Sequence, residues 1–129
     1  MVMSATQKIL VVDDDEHILR SLSQYLELED FDVVSASSGP EALQLFEQEK
    51  PDLLVLDVMM PGMDGFQVLE SLRQNPETAH VPVLMLTARD QHNDILKGYQ
   101  MGATSYLVKP FNLDELVEAI REVFAGKSN

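Results

Sequence analysis

No cysteine occurs anywhere in the chain. That absence excludes disulfides, thiolate zinc sites and cysteine nucleophiles. Positive charge is also scarce. Nine Lys and Arg stand against 22 Asp and Glu, a formal net charge of −13 at pH 7. Such a surface repels nucleic-acid phosphates and anionic headgroups, so neither direct nucleic-acid binding nor membrane binding is expected. No apolar run approaches the roughly 20 residues of a membrane span. Residues 1–8 have no apolar signal core, which sets the expectation of a cytoplasmic protein. Repeats, low-complexity tracts and internal linkers are missing too. What is present is a 129-residue chain, 45% hydrophobic, which suits one domain with a packed core.

Four short apolar runs punctuate the chain: Ile9–Val12, Leu53–Leu56, Val83–Leu86 and Tyr106–Val108. They are too short for typical helices and suit strands buried on both faces. Phe31–Ser35 is more mixed and suits a strand nearer the sheet edge. Between the runs lie helical patterns. Residues around 15–28 place Ile18, Leu22, Tyr25 and Leu26 at helical spacing, behind three acids of which Asp15 is best placed as the cap. Ser38-Gly39-Pro40-Glu41 has helix-start chemistry and Pro51 ends that helix. Asp64 and Gln67 resemble a capping box, with Val68, Leu69 and Leu72 buried, until Asn75-Pro76 breaks the pattern. Asp90 caps a helix carrying Ile95, Leu96 and Tyr99, which Gly102 closes. Asn112 and Glu115 cap the last helix, striped by Leu113, Leu116, Val117, Ile120 and Phe124.

Strand and helix thus alternate five times. This pattern predicts an α/β protein with a single doubly wound, five-stranded parallel sheet, flavodoxin-like, with strand order 2-1-3-4-5 and helices on both faces. The expected domain spans residues 8–125, with a tail at 1–7 and a tail or the start of a linker at 126–129. Ligands of such sheets sit at the carboxyl ends of the strands, where the winding reverses between strands 1 and 3. Asp13, Asp14 and Asp57 stand there, and Thr87 and Lys109 end the next two strands on the same rim. Three close carboxylates repel one another unless something positive lies between them. Lys109 supplies one charge. A hard divalent cation such as Mg²⁺ supplies two more and favours a few carboxylate oxygens with water completing its shell. An acid, a metal, a lysine and a hydroxyl around one point can hold a phosphoryl group, and the carboxylate can itself be the nucleophile.

Four pieces of sequence carry a resemblance: Val12-Asp13-Asp14, the stretch from Leu56 and Asp57 through Pro61-Gly62-Met63-Asp64-Gly65, Leu86-Thr87-Ala88, and Lys109-Pro110-Phe111. Together they resemble the signature of response-regulator receiver domains, from about Lys8 to Phe124. The resemblance implies that Asp57 takes a phosphoryl group from a phosphohistidine on a sensor histidine kinase or a phosphotransfer protein. It implies that Asp14, Asp57 and the Met59 backbone carbonyl bind Mg²⁺ directly, with Asp13 acting through a water. Lys109 then pairs with the phosphoryl oxygens and Thr87 donates its hydroxyl to one of them. Tyr106 matches the switch aromatic of the family and would swing into the space that Thr87 opens. The output is a changed face around helix 4, strand 5 and helix 5, read by a downstream effector domain or protein, or by a second copy in a phosphorylation-dependent homodimer. Met59 and Arg89 match positions that modulate hydrolysis of the acyl phosphate, so slow autodephosphorylation is expected from a module that is otherwise not an enzyme. The Lys109-Pro110 bond is cis in the family; the sequence alone leaves cis and trans open.

Two departures and two alternatives matter. Gly102-Ala103-Thr104-Ser105-Tyr106 replaces the Gly-Ala-Asp-Asp-Tyr pattern common in winged-helix regulators, which puts their salt-bridged dimer face in doubt. The chain stops just past its last helix, so it either acts alone or is the N-terminal receiver of a longer regulator. A metal-dependent phosphatase with an aspartate nucleophile would need an acid two residues after Asp57, where Met59 stands. A flavodoxin-like electron carrier would need a phosphate cradle where Asp13-Asp14-Asp15 would repel the phosphate. His17, His80 and His92 are scattered without ligand partners, and Asp64 reads as a cap.

Overall fold

The computed structural model describes residues 6–88 and 92–126. Five strands alternate with five helices: β1 Lys8–Val12, α1 Glu16–Leu28, β2 Asp32–Ala36, α2 Gly39–Glu49, β3 Leu53–Asp57, α3 Gly65–Gln74, β4 Val83–Ala88, α4 His92–Met101, β5 Ser105–Lys109 and α5 Leu113–Phe124. The strands form one sheet in the order β2-β1-β3-β4-β5, and every pair is parallel. The expected order is therefore the observed one. Parallel pairing forces each connection to cross over the sheet, and the helices supply those crossovers.

Alternation along the strands splits the core into two layers. Leu10, Val12, Leu54, Leu56, Val83, Met85 and Tyr106 face one layer with Phe46, Phe66, Leu69 and Leu72 from α2 and α3. Ile9, Val11, Leu53, Val55, Leu84 and Leu86 face the other, with Leu22 and Leu26 of α1 and Leu116 and Ile120 of α5. Because β1 and β3 are covered on both faces, no polar residue can interrupt them before their ends. The edge strand β2 is mixed in exposure, as its sequence predicts.

Helix ends follow local hydrogen-bond chemistry. The Asp15 carboxylate accepts the His17 and Ile18 N–H groups, and the Ser38 hydroxyl accepts that of Glu41. Asp64 with Gln67, and Asn112 with Glu115, form complete capping boxes. Gly102, at φ +104°, ends α4 in the left-handed region that only glycine adopts freely. Arg73, in the last turn of α3, donates to the Gly102 carbonyl at 3.0 Å and the Thr78 carbonyl at 3.4 Å. Near the other end of the α3–α4 contact, the Lys97 ammonium sits 4.5 Å from the Phe66 ring centroid.

Two residues depart from the stripes that the sequence predicts. Ile18 of α1 is exposed, and Leu19 takes the buried position instead, beside Leu22 and Leu26. Leu96 of α4 is exposed, whereas Ile95 and Tyr99 pack against the core. With 3.6 residues per turn, neighbouring apolar positions compete for one face, and packing chooses between them. Phe31 lies just outside β2 and stacks on Phe124, with centroids 6.3 Å apart. The expected roles of Asp90 as a cap and Arg89 as a modulator fall outside the described residues, as does the end of the tail at 127–129. Among the described residues no helix is long and apolar enough to cross a membrane.

Leu54 is fully buried in the central strand β3. Leu54→Ala should cost about 2–5 kcal/mol of folding stability, seen as a lower urea midpoint.

Candidate functional site

The site grows from the register of the sheet. Val12 lies opposite Leu56, so the residues that follow, Asp13 just past β1 and Asp57 at the end of β3, stand side by side. Asp57 in turn lies opposite Leu86, Thr87 opposite Val108, and Ala88 opposite Lys109. Four strand ends therefore deliver Asp13, Asp57, Thr87 and Lys109 to one rim, as the sequence predicts.

The loop after β3 folds back over this rim. Gly65 donates its N–H to the Val58 carbonyl at 3.0 Å. A Cβ at Gly65 would stand 2.5 Å from the Asp57 carbonyl oxygen and 2.9 Å from the Val58 Cα. Only a glycine lets α3 start so close to the strand that carries Asp57. Sequence reasoning took Asp64 as a cap and missed this duty of Gly65; nothing local to the helix start reveals which backbone lies above it.

Asp13 and Asp57 are only 1% and 4% exposed, whereas Asp14 is open to solvent. One oxygen from each of these three carboxylates lies within 4.8 Å of the others. Among the described residues no other group of three or more acids, histidines or cysteines is close enough to share an ion. The Lys109 ammonium approaches Asp57 Oδ1 at 3.1 Å and Asp13 Oδ2 at 3.9 Å. Asp13 Oδ1 accepts the Asp15 N–H at 2.9 Å. Its Oδ2 has no hydrogen-bond partner among the described residues, and neither does the Thr87 hydroxyl, on a residue only 1% exposed.

Burial pushes the Asp57 carboxyl above the usual carboxylate range, against the opposing pull of Lys109. Burial does the same to Asp13, helped by the neighbouring Asp57 charge and opposed by the Asp15 N–H. One lysine thus faces three carboxylates, and two of those sit out of water. The imbalance is two negative charges, the complement of a dication. The unpartnered Asp13 oxygen and an all-oxygen donor set favour a hard cation over a soft one. The residues present therefore fit Mg²⁺.

Met59 is mostly exposed beside this cluster. Tyr106 is 7% exposed, with its ring edge-on to Tyr99 at a centroid distance of 5.1 Å. By strand alternation it shares a sheet face with Thr87. The expectation was a ring that moves inward, and here the ring already occupies a buried position. The Lys109-Pro110 bond, left open by the sequence, is cis. His17 is exposed in the first turn of α1 and is not part of the acidic cluster, and Asp64 is the cap expected of it.

A doubly wound sheet of this order, with acids, a lysine and a hydroxyl at its switch crevice, defines a phosphoacceptor module of two-component signalling. The chain belongs to the response regulator receiver domain family, whose model matches residues 9–121. It is 46% identical over 117 residues to the alkaline phosphatase synthesis transcriptional regulatory protein PhoP of Bacillus subtilis (strain 168), covering 91% of this chain and 48% of that one. It is 42% identical over 116 residues to the response regulator PleD of Caulobacter vibrioides (strain NA1000 / CB15N), covering 90% and 26%. Among solved structures it resembles the chemotaxis protein CheY4 of Vibrio cholerae, with a TM-score of 0.88 and 34% identity over 92% of this chain and 99% of that one. The chain spans about half the length of the PhoP protein and about a quarter of PleD. These matches give no support to the phosphatase alternative.

The raised carboxyl pKa values have a stability consequence. In the unfolded chain these groups titrate in the ordinary carboxylate range, so the folded state binds more protons above that range. Their contribution to stability is complete below the unfolded pKa and is lost as pH rises through the folded one. Asp13→Asn keeps the acceptor for Asp15 but removes one buried charge. In metal-free buffer it should raise the melting temperature at pH 7 by a few degrees, and the gain should shrink as pH falls through the raised folded pKa towards the ordinary carboxylate range.

Proposed function

We propose that Asp57 is the phosphoacceptor of this receiver domain. The observation that carries the proposal is the buried Asp57 carboxylate, held 3.1 Å from the Lys109 ammonium within a cluster of two further acids. An Asp57 oxygen attacks the phosphorus of a phosphohistidine on a sensor kinase or a phosphotransfer protein. A new O–P bond forms, the N–P bond breaks, and the leaving imidazole nitrogen takes up a proton. The product is an acyl phosphate on Asp57.

Each neighbour has a share in this step. Lys109 leaves Asp57 Oδ1 to pair with the oxygens of the incoming phosphoryl group, and its charge offsets theirs. Asp14, Asp57 and the Met59 backbone carbonyl would hold Mg²⁺, with Asp13 acting through a water. When bound, the ion supplies positive charge against the phosphoryl oxygens. Thr87 has a hydroxyl that lacks a partner among the described residues and can donate to a phosphoryl oxygen through a charge-assisted bond. That pull on β4 alters the space beside Tyr106 and hence the face made by α4, β5 and α5. An effector domain, a partner protein or a second copy reads that face. Met59, exposed at the rim, and Arg89 set how fast water reaches the acyl phosphate, which gives a slow autodephosphorylation. The module works in the cytoplasm as residues 8–125, with residues 1–7 and 126–129 as tails or linker.

Two outcomes test these assignments. Incubation with acetyl phosphate and Mg²⁺ should add a single phosphoryl group by mass, and Asp57→Asn should reduce labelling to background. Labelling of that variant at the parental level would remove Asp57 from the role. Separately, millimolar Mg²⁺ should raise the melting temperature, since a ligand at about 100 times its dissociation constant stabilises by about 2.7 kcal/mol. Asp14→Ala should abolish most of that gain, as followed by thermal unfolding with and without the metal.

A further inference from the structure

Gly98 stands in the interior of α4, a position where glycine normally weakens a helix relative to alanine. Its place is buried, and what lies above it is the far end of Tyr106. A Cβ built on Gly98 would overlap the Tyr106 hydroxyl and Cζ outright and would come within 2.8 Å of Cε2. No other side chain or backbone is among the three nearest atoms it would meet. The ring has close neighbours on its own side of the sheet. Tyr99 packs against it edge-on, and Met85, Ala103 and Ile95 belong to the same close-packed layer of the core.

We infer that Gly98 is a positioning residue: the missing side chain is the seat that the Tyr106 hydroxyl end occupies, and any larger residue there excludes the ring from its buried position. Two bodies compete for one volume, a β-carbon on α4 or the phenol of β5. The chain keeps glycine at a cost in helix propensity, and the seat stays open. This assignment concerns where Tyr106 can go. Its bearing on signalling rests on the reading of Thr87 and Tyr106 as the moving pair. Under that reading, a residue larger than glycine at 98 lets Asp57 accept its phosphoryl group but denies Tyr106 the buried position that should follow.

The test is nitration of tyrosines by tetranitromethane, mapped by peptide mass, on the full chain and on Gly98→Ala. Tyr25 lies on α1, away from this layer, and serves as the internal reference. In acetyl phosphate and Mg²⁺, Tyr106 of the parent should be protected about tenfold or more relative to Gly98→Ala, as expected for a minor open state of 10% or less. Tyr25 and the extent of phosphorylation should not change. Equal nitration of Tyr106 in the two proteins would overturn the proposal, because α4 would then have yielded in place of the ring. A second measurement separates a seat from a merely awkward residue. Gly98→Ala should raise the melting temperature in a Tyr106→Ala background, where the space is free, and should not raise it in the parent. An equal rise in both backgrounds would also overturn it. If parental Tyr106 is equally protected with and without acetyl phosphate while Gly98→Ala exposes it, the seat stands and the switching role of Tyr106 falls.

Discussion

The ion pair between Lys109 and Asp57 is the contact on which the rest of the site depends. It places one cation against a cluster of three acids, two of them out of water, and so leaves the rim unbalanced by design of the fold. A buried charge without full compensation is among the costliest features a small domain can carry. The chain tolerates it because Asp13 and Asp57 stand at the ends of the fully buried apolar runs Ile9–Val12 and Leu53–Leu56. Binding power at the rim and the cost of enclosing its uncompensated charge are thus the same quantity seen from two sides.

The two-layer core explains why such a cluster keeps its shape. β1 and β3 are gripped on both faces, so Asp13 and Asp57 emerge from the enclosed centre of the sheet. Thr87 emerges from β4, which is buried as deeply, whereas Lys109 emerges from the edge strand β5, where Val108 is already exposed. The acceptor and Thr87 therefore rest on enclosed strands, and Lys109 and Tyr106 on a strand with one open edge. Gly65 completes the arrangement by letting α3 begin directly against the acceptor strand.

Much of this was legible in the sequence, for reasons that can be stated residue by residue. The runs in β1, β3 and β4 are unbroken because both faces are buried, so no register had to be guessed. Asp64 with Gln67 and Asn112 with Glu115 announce helix starts because a cap and its partner lie three residues apart. Asp13, Asp57, Thr87 and Lys109 could be brought together on paper because parallel strands put all their carboxyl ends on one rim. What stayed hidden depends on packing between distant segments. Ile18 and Leu96 face outward because a neighbour fills the buried slot better. The burial of the Thr87 hydroxyl, the buried rotamer of Tyr106, the close approach at Gly65 and the overlap at Gly98 each involve atoms from another element, and no local pattern records them.

The tie made by Arg73 has a mechanical consequence. Its guanidinium grips the Gly102 and Thr78 carbonyls, so α3 and the carboxyl end of α4 are fastened at the floor of the molecule. A ten-residue helix is about 15 Å long. Any tilt of α4 about that fastening has its longest lever arm at the opposite end, level with the acidic rim. A tilt small enough to leave the guanidinium contacts below intact would therefore be largest at the end of α4 nearest the acceptor.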